Sequence, residues 1–142
     1  MTKRLSSILI AVLIALFAVA SPAQAATFHT SANGCKVSLD APHWSTSGGT
    51  VLVKARFSCP TGATRTWKLT GQVLFRNGVS VYQGSNQNVT VGSGGSVTRY
   101  IPTTGVKITP RGTYFARMHF YFGTDPEIEF IIDSPTRLLN SH

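Results

Sequence analysis

The sequence is poor in acids, in cysteine and in helical periodicity. Five Asp+Glu stand against thirteen Lys+Arg among 142 residues, a formal net charge of +8. Only 13% of residues are charged while 42% are hydrophobic, which excludes a self-repelling disordered chain. Two cysteines, Cys35 and Cys59, with no C-x-x-C between them, point away from a zinc scaffold or a redox pair. None of the four histidines (His29, His43, His119, His142) has H-E-x-x-H spacing, and neither a G-x-S-x-G elbow nor a P-loop occurs. No metal, cofactor or catalytic residue is therefore expected. The length fits one domain rather than a multidomain enzyme.

One long apolar run does occur, and it is N-terminal. Lys3 and Arg4 precede an apolar stretch from Ile8 to Ala20, and Ala23-Gln24-Ala25 is a small-x-small cleavage site. This pattern predicts a secretory signal peptide over 1–25, leaving 26–142 as a single domain. A membrane span needs about 20 apolar residues, and Ser21-Pro22 ends this run early. No cysteine follows it for lipidation, no twin-Arg motif precedes it, and Thr136 to His142 offer no hydrophobic tail or sorting pattern. The expectation is a secreted, extracellular protein with no integral span after cleavage. The Ala-rich leader resembles bacterial ones, and in such a host the sequon Asn88-Val89-Thr90 is accidental.

Beyond Ala25 the pattern is strand and turn, punctuated by Gly and Pro. Cys35, Val37 and Leu39 alternate, as do Val51, Val53, Ala55, Phe57 and Cys59. Folded as a hairpin about Ser47, 37 meets 57, 39 meets 55, and Cys35 meets Cys59. The register that pairs the apolar faces also pairs the cysteines, and export permits the disulfide. Closing that loop of about 25 residues stabilises the fold by about 3.5 kcal/mol in the chain-entropy view.

Alternation continues from Thr66 to Arg76, with Trp67, Leu69, Gly71, Val73 and Phe75 expected inside and Lys68, Thr70, Gln72, Leu74 and Arg76 outside. Asn77-Gly78 predicts a type I′ hairpin into Val79–Gln83, because both residues tolerate positive φ. Asn88–Val91 and Ser96–Ile101 are further strand candidates. Tyr114, Ala116, Met118, Phe120 and Phe122 alternate with Phe115, Arg117, His119 and Tyr121. In the last strand Ile128, Phe130 and Ile132 are expected inside, with Glu127, Glu129, Ile131 and Asp133 outside. Seven to eight short strands in about 115 residues predict an all-β antiparallel sandwich.

Gly112-Thr113-Tyr114-Phe115-Ala116 resembles the G-x-Y-x-C entry to strand F of immunoglobulin-like domains, and Trp67 stands where their strand-C tryptophan would. The resemblance implies that Tyr114 bonds back to backbone at a corner and that Trp67 packs in the core. Ala116 occupies the place of the family's second cysteine, so the usual B–F disulfide cannot form. Such a likeness speaks to fold and not to function.

Three functional readings remain. Leu74, Arg76, Val81, Arg117, His119 and Tyr121, with Val79 and Ile131, give the expected outer face more apolar character than a solvated sheet carries, which suggests a non-catalytic binding module for a protein or glycan partner, or for a second copy of the chain. Alternatively, eleven basic residues against five acids after Ala25 suit an envelope-targeted effector, antibacterial or toxin-like, that binds anionic polymers. A small hydrolase would need a cleft gathering His119 with Glu127 or Glu129. These two carboxylates stand about 7 Å apart on one strand face, and the plainer expectation is that they meet Arg117 and His119 across strands. Nucleic acid is not an expected partner, since no binding motif occurs.

Overall fold

The computed structural model describes residues 26–103, 105–122 and 128–140; the expected signal peptide, Glu127 and His142 lie outside them. Every element is a strand: β1 (Thr27–Thr30), β2 (Lys36–Leu39), β3 (His43–Ser45), β4 (Thr50–Ser58), β5 (Arg65–Arg76), β6 (Val79–Gly84), β7 (Gln87–Val91), β8 (Ser96–Ile101), β9 (Gly112–Phe122), β10 (Phe130–Asp133) and β11 (Arg137–Leu139). Two antiparallel sheets result. One has the order β1-β2-β4-β3, with β8 also on β4; the other has β10-β9-β5-β6, with β11 on β9 and β7 on β5. No helix among the described residues is long and apolar enough to cross a membrane.

Eleven segments exceed the seven to eight strands expected, and the registers explain the excess. β2 and β3 follow one another along β4, β6 and β7 along β5, and β10 and β11 along β9, each pair separated by a short interruption. The break between β10 and β11 falls at Ser134-Pro135, where proline cannot donate to a ladder. There the Ser134 amide donates to the Ala116 carbonyl and the Ser134 hydroxyl accepts from the Ala116 amide, both at 2.8 Å.

The first hairpin has the expected register. Val37 pairs with Phe57 and Leu39 with Ala55, and Cys35 is disulfide-bonded to Cys59. Asn77 (φ 51°) and Gly78 (φ 79°) make the expected turn, with Arg76 opposite Val79.

The core lies between the sheets. Val37, Leu39, Val51, Val53, Ala55 and Phe57 enter from one; Trp67, Leu69, Leu74, Tyr114, Ala116, Met118 and Phe120 enter from the other. Burying each large side chain contributes about 1.5–3 kcal/mol relative to leaving it in water. Trp67 packs edge-on against Phe57, with ring centroids 5.2 Å apart. The Tyr114 hydroxyl donates to the Thr109 carbonyl.

One side of the sandwich is closed by β1 against β10, where the Thr27 hydroxyl donates to the Asp133 carbonyl. His29 of β1 packs there against Phe130, Phe122 and Phe120, at ring separations of 4.6, 5.1 and 5.9 Å. Burial, then the charge of Arg65, lowers its pKa below the ordinary 6.5. His43 is lowered too, chiefly by burial. A base whose folded pKa is depressed takes up protons more readily when unfolded. Its stabilising contribution is therefore complete above about pH 6.5 and is lost as pH falls from there towards the folded value. Thermal melts should show Tm falling between about pH 7.5 and 5.5, with a shallower fall in His29→Phe. A Tm that rises on acidification contradicts this assignment.

Candidate binding face

The outward side chains of β9 are those expected: Phe115, Arg117, His119 and Tyr121 are all half-buried on the outer surface of the second sheet. The strand beside it is not as expected. Along β5, Leu69 pairs with Phe120 but Gly71 pairs with His119, so Thr70 is an extra residue against β9. A bulge of this kind reverses the facing of everything after it. Gln72 and Leu74 consequently turn inward, at 1% and 0% exposure, while Val73 and Phe75 turn outward.

The expectation that Leu74 lies on the binding face is thus corrected: it is core. Its place outside is taken by Phe75, which sequence alternation placed inside. Val81 is corrected in part. Leu74 pairs with Tyr82 and Phe75 with Ser80, leaving Val81 as the extra residue of a second irregularity, and it packs half-buried against the core. Ile128, expected inside, is 60% exposed.

The bulge has a polar consequence that is fully satisfied. The buried Gln72 amide donates to the Ser85 carbonyl at 3.2 Å, and its oxygen accepts from Gln87 at 2.9 Å. Both partners flank the junction between β6 and β7, so a buried amide that would otherwise be costly finds its bonds there.

Outside, Phe75 and Phe115 stack 4.6 Å apart with their planes within 7°. The Arg117 guanidinium lies 6.0 Å from each ring. Its Nε and Nη2 donate to the two carboxylate oxygens of Asp133 at 2.7 and 2.8 Å. Those hydrogen bonds hold the Arg117 pKa above its ordinary value. An ion pair this exposed adds at most about 1 kcal/mol of stability; its larger effect is to fix the guanidinium beside the rings. One step along, His119 Nδ1 lies 3.2 Å from Glu129 Oε1, which also accepts from the Thr70 hydroxyl at 3.2 Å. The ring of His119 covers Gly71, where a Cβ would stand 3.4 Å from it. The expected cross-strand pairing is present for Glu129 with His119; Glu127 lies outside the described residues, and the carboxylate that meets Arg117 is Asp133. Ile131, 53% exposed, and Val79, 66% exposed, add apolar area to this sheet.

Of the expected site residues, Arg117, His119 and Tyr121 share this face. Arg76 stands at the end of the sheet, donating to the Thr109 hydroxyl at 3.2 Å. Phe75 is the residue that sequence reasoning missed. Gly71 within a strand pattern was the available signal, since an isolated glycine there marks a bulge. Among the described residues no group of three or more His, Cys, Asp or Glu is placed to hold a metal ion. No family model matches the chain, and no curated protein or solved structure is significantly similar to it.

Proposed function

We propose that the protein is an exported, non-catalytic binding module with an immunoglobulin-like sandwich, and that it holds a protein partner on the outer face of β9 and β5. The tyrosine corner of Tyr114 and the buried Trp67 support the immunoglobulin-like reading. The disulfide is compatible with an oxidising, extracellular setting.

The observation that carries the binding reading is the Phe75–Phe115 stack outside the core, with Arg117 clamped beside it. Aromatic residues, phenylalanine among them, and arginine are enriched at protein interfaces relative to the rest of the surface. Here the rings are held flat and the guanidinium is already oriented, so little side-chain freedom is lost on docking.

A second reading, an envelope-targeted effector that binds anionic polymers, is favoured by one observation. Of the eleven Lys and Arg after Ala25, Arg56 and Arg117 are the two with a carboxylate in ion-pair distance among the described residues. Capture from envelope fractions and culture proteins, at low and high salt, separates the readings, because contacts driven by exposed charge weaken with salt. The proposal expects a protein retained at high salt and lost with the Phe75→Ser/Phe115→Ser variant. Retention that salt abolishes, and that the double variant leaves intact, would establish the polymer reading instead.

A further inference from the structure

A groove of about 400 Å³ opens on the outer face of the other sheet, away from the Phe75–Phe115 stack. Strand alternation builds it. His43 and Ser45 of β3 pair with Leu52 and Thr50 of β4, and Lys54 of β4 pairs with Tyr100 of β8. All six line the groove. Direct cross-strand neighbours stand about 5 Å apart and same-face neighbours along a strand about 7 Å apart. An ammonium, an aromatic ring, an imidazole and an aliphatic floor therefore line one groove about 12 Å across, spread over three adjacent strands.

The charged side chain lining the groove is basic, with Asp40 close enough to act on His43 from beside it. No carboxylate lines the groove, and Lys54 has no ion pair among the described residues. Lys107 Nζ donates to the carbonyl of Gly48, which also lines the groove, and so places a second ammonium at that end. Tyr100 is 42% exposed, with its ring available to a ligand. Burial lowers the His43 pKa and favours a neutral imidazole, with Lys54 and Arg137 acting in the same direction and a hydrogen bond to the Ala41 backbone and the charge of Asp40 opposing it; the ring nitrogen not engaged by Ala41 is left to meet a ligand hydroxyl.

We infer that this groove is a binding site for a carboxylated sugar, a uronic acid residue of an acidic glycan. Each part of such a ligand has a counterpart. The C–H face of the pyranose lies on Tyr100 and Leu52, the carboxylate meets Lys54, and the ring hydroxyls meet His43 and Ser45. The volume lies within the range of about 300–1,000 Å³ of small-molecule sites. A bare phosphate would use the lysine and leave the aromatic and aliphatic surfaces idle. The site is independent of the protein-binding face, so either can fail alone.

The test is titration of the oxidised protein with an oligogalacturonate, its methyl ester and inorganic phosphate, followed by amide chemical shifts and calorimetry. The oligogalacturonate should give saturable shifts centred on His43, Lys54 and Tyr100. The methyl ester, which removes the charge at the cost of one added methyl group, should bind about tenfold or more weakly, and Lys54→Met and Tyr100→Ser should each lose about as much, tenfold being about 1.4 kcal/mol. Arg99→Met removes the same charge from the other face of β8 and should leave affinity within about threefold. Folding of each variant is read from the dispersion of the same spectra. Absence of saturable binding, an equal loss in Arg99→Met and Lys54→Met, or phosphate binding as tight as the oligosaccharide would each overturn the inference.

Discussion

Leu74→Ala should lower the free energy of unfolding by about 2–5 kcal/mol, the cost of emptying a fully buried leucine site. Phe75→Ala, one residue along, should cost only about 1 kcal/mol, chiefly the loss of its stacking on Phe115. Uninterrupted alternation from Trp67 would reverse that order, because it places Leu74 in solvent and Phe75 in the core. The bulge at Thr70-Gly71 is what inverts it, and Leu74 at 0% exposure is the result. Denaturant midpoints at an unchanged m-value measure both effects. A Leu74→Ala protein within about 0.5 kcal/mol of the parent, the range of ordinary surface substitutions, would show that β5 is not bulged.

Removal of the disulfide should cost about 3.5 kcal/mol, by the loop-closure entropy of about 25 residues. The Cys35→Ala/Cys59→Ala protein should unfold at lower denaturant and at a Tm lower by more than about 10 °C, at several degrees per kcal/mol for a domain of this size. The bond joins the start of β2 to the end of β4, at the end of the hairpin remote from its turn. It restrains the unfolded chain while leaving the ladder between these strands untouched. The parent treated with a reductant under denaturing conditions should match the double variant. A loss below about 1 kcal/mol would mean that the reduced chain already keeps the hairpin closed.

These two predictions mark where sequence patterning suffices and where it stops. The Cys35–Cys59 pairing is legible because three independent pairs, 35 with 59, 37 with 57 and 39 with 55, demand one register, and period-two alternation propagates it without error. β9 is legible for the same reason, since Tyr114, Ala116, Met118 and Phe120 alternate with outward residues without interruption. β5 alternates just as regularly in sequence, yet its second half faces the other way. A bulge is set by pairing with a neighbour, here where Gly71 meets His119, and alternation does not carry it; the isolated Gly71 is its mark in the sequence. The short segments β1, β3 and β11 were invisible to patterning, because three or four residues carry too little periodicity. The groove around Lys54 was hidden for a related cause. Its side chains come from three strands, and only the pairing of Lys54 with Tyr100 and of His43 with Leu52 gathers them.

The same bulge shapes the candidate binding face. Without it, Val73 and Phe75 would point into the core and Leu74 outward, and Phe115 would have no ring beside it. With it, Phe75 and Phe115 stack on the outer surface and Asp133 holds Arg117 against them. The affinity of the captured protein partner for Phe75→Ser/Phe115→Ser, set against the parent at about 0.5 M salt where exposed charges are largely screened, measures this most directly. Loss of both rings should weaken binding by about tenfold or more, as expected for aromatic residues at the centre of an interface. Equal affinity of the two proteins under those conditions would contradict binding through this face.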